Sequence, residues 1–207
     1  MSALSFLQAD GLACARGGRP VFRDVAFRVR AGTALALEGA NGAGKTSLLR
    51  MVAGFLAPLA GTIRIETTGA AAIADAEERA RLIGWLGHHD GVKPQLSVLE
   101  NLAFYARLYG RDADLMGALD EVGLMRARDL PGQYLSAGMK KRLALARLKL
   151  ISRPLWLMDE PLASLDAAAK RLAVRMIATH CAAGGIVVAA THEPLGLECA
   201  KLVLGQT

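Results

Sequence analysis

GANGAGKT, Gly39 to Thr46, is the stretch that decides the fold. It matches G-x-x-x-x-G-K-[ST] at every fixed position. A short apolar run, TALALEG (Thr33–Gly39), precedes it and has the length and composition of a buried strand. KTSLLRMVAG (Lys45–Gly54) follows and is patterned as a helix, with Gly54 just past its end. In a strand–turn–helix setting the motif has a physical meaning. Gly39, Gly42 and Gly44 let the backbone through Ala40, Asn41 and Ala43 curl until successive N–H groups face one point. Lys45 supplies a positive charge for β- and γ-phosphates, and the Thr46 hydroxyl is placed to ligate Mg²⁺. Ser47, one residue on, is within reach of a phosphate.

A phosphate cradle needs carboxylates to become a hydrolytic site. PLWLMDEP (Pro154–Pro161) ends an apolar strand in Asp159 and Glu160. Asp159 can hold Mg²⁺ through water, and Glu160 can position or deprotonate an attacking water. Without the cradle, the same pair would read as two solvated acids at a strand end. GIVVAATH (Gly185–His192) is another buried strand, ending in His192. Taken alone, His192 fits either a γ-phosphate contact at the ligand-binding edge of an open sheet or a structural histidine.

A second anion site lies far along the chain. In LSAGMKKRLALAR (Leu135–Arg147), Ser136 can cap a helix whose first N–H groups favour negative charge. By itself this is equally a capped surface helix with its basic residues in water.

Composition sets the frame. The chain has 207 residues, which suits one domain, and 53% hydrophobic with 21% charged residues excludes global disorder. The formal net charge of +6 suits an acidic partner without selecting one. Cys14, Cys181 and Cys199 are scattered and odd in number, which predicts a reducing compartment and neither a disulfide scaffold nor a zinc site. The first residues, MSALSFLQADG, lack a signal-peptide pattern. No apolar run approaches the roughly 20 residues that span a bilayer. Strand-like and helical segments alternate, which predicts an α/β fold. GTIRIE (Gly61–Glu66) alternates as an antiparallel strand, residues 67–80 read as a connection with some helix, and RLIGWLG (Arg81–Gly87) returns to strand. Ser97 and Glu100 form a capping box for a helix running to Tyr109, stopped by Gly110. His88 to Pro131 is expected to be largely helical, and a further helix is expected over Ala167–Ala183.

Taken together, Gly39–Thr46, Leu135–Met139, Asp159–Glu160, Ser164–Leu165–Asp166 and His192 resemble, in order and spacing, the ATP-binding cassette (ABC) ATPases. The resemblance covers essentially the whole chain. It implies a P-loop NTPase fold of the ABC type: a central, mostly parallel sheet, an antiparallel β subdomain and a helical subdomain, about residues 88–150, inserted in the α/β core. It implies ATP and Mg²⁺ as ligands. It also implies a head-to-tail dimer, in which the cradle of one copy and the signature loop of the other sandwich each nucleotide. The signature loop would be Leu135, Ser136, Ala137, Gly138 and Met139. The D-loop, with Ser164 and Asp166, would communicate across that dimer. On this resemblance Glu160 and His192 are the catalytic pair.

The sequence departs from the family pattern in four places. Ala137 and Met139 replace the first Gly and the Gln of LSGGQ, adding a methyl and removing an amide. The Q-loop position falls on His89, which is shorter than Gln and can carry charge. The adjacent His88–His89 pair also suggests a metal, but ligands at i and i+1 point apart. The position of the family's adenine-stacking Tyr falls on Arg16, whose guanidinium plane can stack on a base.

A narrower resemblance is to the ATP-binding subunits of bacterial cytochrome c maturation, the haem-export systems. GHHDGVK beside the Q-loop and the Ala within the signature carry it. It implies a peripheral subunit on the cytoplasmic face of the inner membrane, held by integral membrane subunits. Its ATP hydrolysis would drive release of a holo-haem chaperone, with haem-handling proteins as indirect partners. The chain runs about fifteen residues past His192, which predicts no C-terminal regulatory domain. Alternatives are another exporter's cassette, for lipoproteins or drugs, or a soluble ABC protein on nucleic acid or ribosomes. Lys140, Lys141, Arg142, Arg147 and Lys149 could serve nucleic acid, but aromatics make up only 5%. A solvated basic helix face is the simpler reading, and no direct nucleic-acid contact is expected.

Overall fold

The computed structural model describes residues 4–69 and 71–205. Two sheets organise it. In the first, β1 (Leu4–Arg16) pairs antiparallel with β2 (Arg19–Arg30) on one side and with β4 (Ala60–Thr67) on the other. In the second, β5 (Ile83–Leu86), β6 (Leu155–Asp159), β7 (Ile186–Ala190), β3 (Ala34–Glu38) and β8 (Ala200–Val203) lie side by side in that order, all parallel. β6 and β7 are buried at every position, so their continuous apolar runs cover both faces of the sheet.

The alternation of side chains divides the core in two. Leu155 and Leu157 of β6, with Leu35 and Leu37 of β3, pack toward α1 (Lys45–Val52) and the antiparallel sheet. Trp156 and Met158 pack on the opposite face, against α5 (Ala137–Ile151) and α6 (Ala167–Ala182). Leu48 and Leu49 of α1 are completely buried, each contributing about 1.5–3 kcal/mol by leaving water. Short α2 (Ala76–Ala80) leads into β5.

Between β5 and β6 lie α3 (Val98–Leu108), α4 (Leu115–Glu121), two single 3₁₀ turns and α5. The capping box forms as expected: Ser97 Oγ accepts from Glu100 N, and Glu100 Oε2 accepts from Ser97 N. Residues 88–97 differ from the helical expectation and form an extended loop. Buried Asn101 holds it, donating to the carbonyls of Lys93, Leu96 and Ser97 while accepting from Lys93 N. One amide thereby satisfies backbone groups that a helix would have paired internally.

The basic face of α5 corrects a second expectation. Lys141 and Arg147 are 6% and 8% exposed. Lys141 pairs with the Asp90 carboxylate at 3.1 Å, while Arg147 donates to the carbonyls of Asp90 and Trp85 and lies over the Tyr105 ring. Arg142 donates to the Val122 and Gly123 carbonyls, and Lys149 pairs with Glu121. These cations knit α5 to the loop after β5 and to α4. The charge run looked solvated in sequence because its partners lie 19 to 62 residues away.

Candidate nucleotide site

Parallel register brings three strand ends together. Asp159 pairs with Ala190, and Ala190 pairs with Leu37. Glu160, Thr191–His192 and Glu38–Gly39 therefore emerge side by side at the carboxyl edge of the sheet, where open α/β folds bind ligands. Glu160 N donates to Ala190 O at 2.9 Å and Thr191 N to Leu37 O at 3.1 Å. These bonds fix the two loops to each other.

The cradle has the shape that the motif predicts. Gly39 has φ 140°, and a Cβ there would lie 2.5 Å from the Leu204 carbonyl oxygen. Gly44 has φ 100°, and its Cβ would lie 2.7 Å from Phe22 of β2. Both positions exclude any side chain. α1 begins at Gly44 with no side-chain cap and no acid in its first turn. Every other α-helix among the described residues is capped, by Asp75, Ser97, Asp114, Ser136 and Asp166. The first N–H groups of α1 thus lack the acceptor that each other helix carries, and they face a loop whose crest, Ala40, Asn41 and Gly42, is exposed.

Lys45 is 7% exposed. Its Nζ donates to Gly39 O at 2.7 Å and Ala40 O at 3.2 Å, and lies 3.2 Å from His192 Nε2. Those acceptors account for all its N–H bonds. Thr46 Oγ1 donates to Asp159 Oδ2 at 3.0 Å, and Ser47 is buried behind them. Glu160 Oε1 lies 3.4 Å from the same His192 Nε2. One nitrogen cannot accept from Lys45 and donate to Glu160 at once. A neutral ring with its proton on Nδ1 suits the lysine, and a protonated ring suits the glutamate.

Residues not singled out in the sequence shape this corner. Thr191 Oγ1 donates to Glu193 O at 2.6 Å and accepts from Glu193 N at 3.1 Å, closing the turn that presents His192. The Glu193 carboxylate pairs with Lys170 of α6. Thr-x-Glu after a strand is a local turn signal, but the Lys170 pairing is tertiary and leaves no trace in sequence.

The other singled-out residues make no hydrogen bond or ion pair with Lys45, Thr46, Asp159 or Glu160 among the described residues. Ser136 caps α5 by accepting from Met139 N at 3.2 Å. Ser136 and Ala137 are exposed, Leu135 is buried and Met139 is packed partly into the core. Gly138 touches the D-loop of its own chain, where a Cβ would lie 2.8 Å from Ser164 O. Ser164 is exposed with φ 64°, and Asp166 caps α6 through Ala169 N. Arg16 is exposed at the tip of the β1–β2 hairpin, paired in register with Arg19. Exposed His89 lines a cavity of about 360 Å³ with Phe55, Trp85, Tyr105, Tyr109 and Arg147. Among the described residues, no hydrogen bond or ion pair joins His89 or Arg16 to Lys45, Thr46, Asp159 or Glu160.

Comparison with known proteins places this geometry in a family. The ABC transporter family profile matches residues 22–163. The chain belongs to the ABC transporter family. It has the ABC ATPase fold and is an ATPase. It is 48% identical to the cytochrome c biogenesis ATP-binding export protein CcmA of Rhodopseudomonas palustris (strain BisB5), over 97% of this chain and 98% of that protein. The protein of the same name from Hyphomonas neptunium is 43% identical, over 95% and 94%. A solved ATP-binding subunit of an ABC transporter superposes with TM-score 0.83 at 25% identity, covering 97% of this chain and 86% of that one. A solved structure from Pyrococcus furiosus gives TM-score 0.82 at 26% identity, covering 97% and 98%.

Proposed function

We propose that the chain is the ATP-hydrolysing subunit of a multi-component membrane exporter in cytochrome c biogenesis. The carrying observation is the bare N-terminus of α1 behind Gly39–Thr46, with Asp159, Glu160 and His192 converging on it from neighbouring strands. The α1 N–H groups and Lys45 bind the phosphates of ATP, and Lys45 exchanges carbonyl acceptors for phosphate oxygens. The Glu160 carboxylate orients the water that attacks the γ-phosphorus and takes its proton. His192 contacts the γ-phosphate. Thr46 and Asp159 offer hard oxygen donors 3.0 Å apart, a set that suits Mg²⁺, with Asp159 acting through water. Mg²⁺ when bound neutralises charge on the β- and γ-phosphates.

The signature, Ser136 to Met139, serves the nucleotide of a second copy, and exposed Ser136, Ala137 and Ser164 suit a face shared between copies. The helical region of residues 88–150 grips the membrane subunits. Exposed Phe104, Leu108 and Tyr109 support that reading, since such surface ordinarily marks a partner. No helix among the described residues is long and apolar enough to cross a membrane, so attachment to the cytoplasmic face of the inner membrane comes through those subunits. The names of the CcmA relatives point to export in cytochrome c biogenesis, and on our reading haem delivery is the step that this chain's ATP hydrolysis drives.

The test is a mild-detergent pull-down of the tagged protein from native membranes, with mass spectrometry of the eluate. Cytochrome c maturation membrane proteins are expected. An unrelated permease would move the cargo to another exporter, and ribosomes or nucleic acid without membrane protein would overturn the transport reading.

A further inference from the structure

A cavity of about 840 Å³, larger than the one beside His89, lies at the opposite edge of the parallel sheet from the nucleotide site. Pro154 and Gly185, which lead into β6 and β7, line it together with Ser152 after α5 and His180 near the end of α6. The far ends of these four elements carry the catalytic carboxylates, His192, the signature and the D-loop. Five-residue strands put roughly 16 Å between the two edges.

The walls have a defined chemistry. Trp156 and His180 stack at 3.9 Å with planes 11° apart, making a flat apolar side. Burial lowers the His180 pKa, and its Nε2 donates to Pro154 O at 3.1 Å, so the ring is a neutral part of that wall. Leu172 and Met176 continue the apolar surface. On the polar side Glu121 is neutralised by Lys149. Arg153 and Arg175 remain, and among the described residues no acid pairs with either. The Arg153 guanidinium rests over the Tyr109 ring.

Two buried side-chain donors on residues of this cavity's lining, Arg153 Nε and Trp156 Nε1, find no hydrogen-bond partner among the described residues. A buried donor without an acceptor costs about 1–3 kcal/mol. The cavity thus combines a flat apolar wall and uncompensated guanidinium charge, at a volume typical of small-molecule sites.

We propose that this cavity binds a small amphipathic anion, an apolar body with a single carboxylate, phosphate or sulfonate head set against Arg153. The site is separate from the nucleotide cradle and from the His89 cavity.

The test uses the full chain with Trp85→Phe, which leaves Trp156 as the only tryptophan. The probe is the aromatic sulfonate 1-anilinonaphthalene-8-sulfonate, read by energy transfer from Trp156, with dodecanoate, dodecanol and inorganic phosphate as competitors. Expected is saturable one-to-one transfer, displaced by dodecanoate at least tenfold more effectively than by either other competitor. Arg153→Gln should weaken dodecanoate tenfold or more, and Thr179→Phe, on the exposed rim, should block the probe. Equal displacement by dodecanol would reduce the site to an apolar patch and overturn the proposal. Unchanged affinities in both variants would place the probe elsewhere and overturn it as well.

Discussion

Gly138→Ala separates folding from catalysis. The added methyl would lie 2.8 Å from the Ser164 carbonyl oxygen, a backbone atom that cannot rotate away. A comfortable carbon–oxygen contact needs about 3.3 Å, so the signature turn and the D-loop must part by roughly half an ångström. The helix itself gains, because Ala in place of Gly favours α5 by up to about 1 kcal/mol. The contact loses a comparable amount, so the melting temperature should move by only a few degrees for a chain of this size. Catalysis should be more sensitive, since a misplacement of about 1 Å costs on the order of 10²-fold. Half of that shift predicts a roughly tenfold fall in kcat. Nucleotide binding to the cradle should be unchanged, because Gly138 touches none of it. The assay pairs steady-state ATPase with a titration of a fluorescent ATP analogue. A folded variant with full kcat would refute the idea that the Gly138–Ser164 contact sets the geometry of hydrolysis.

Other substitutions address the remaining parts. Glu160→Gln keeps the size of the side chain and removes the base, so kcat should fall by about 10²–10⁴ while ATP still binds; undiminished turnover would remove Glu160 from the chemistry. Asp159→Asn should raise the Mg²⁺ concentration for half-maximal activity about 10–100-fold, read from an Mg²⁺ titration at saturating ATP. His180, whose pKa burial lowers from 6.5, should make stability fall as pH drops below about 6.5. There the unfolded chain takes up a proton that the folded chain refuses, at a slope of at most about 1.4 kcal/mol per pH unit, whereas above that window the term is flat. Denaturant melts of wild type and His180→Gln across pH 5–8 check it, and parallel curves would refute it. Burial pushes the Cys181 thiol to about 11, so it should resist alkylation by iodoacetamide at pH 8 until the chain is unfolded, which peptide mapping would read.

The parallel core was legible because β3, β6 and β7 are buried on both faces, so each reads as an unbroken apolar run next to a turn signal. β8 was not read. Its residues Ala200–Val203 sit at the sheet edge, largely exposed, and its place is fixed by backbone pairing with β3. The cradle and the carboxylates were legible because each is a short local pattern at a strand end, which is also where the proposed chemistry needs them. Lys141, Arg147 and Asn101 could not be assigned roles, because a buried cation and a solvated one look alike until the partner carbonyl is known. The cavity beside Trp156 and His180 is assembled from the ends of α5, α6, β6 and β7, and no local pattern encodes it.

Backbone strain marks the same edge independently of any motif. Four non-glycine residues among those described have positive φ: Asp24, Ser152, Glu160 and Ser164. Two of them flank the segment that follows β6. Such conformations cost about 1–3 kcal/mol each and persist only where the surroundings over-determine them. Glu160 is held by its N–H bond to Ala190 O, which ties its position to the strand that presents His192. A looser Glu160 would relax into an ordinary conformation and carry its carboxylate away from that ring. The strain therefore keeps the two side chains 3.4 Å apart before any substrate arrives, so orientation is settled by folding rather than by binding. Ser164 carries the same kind of strain at the point that Gly138 abuts, which gives that loop a fixed backbone for the second copy proposed above.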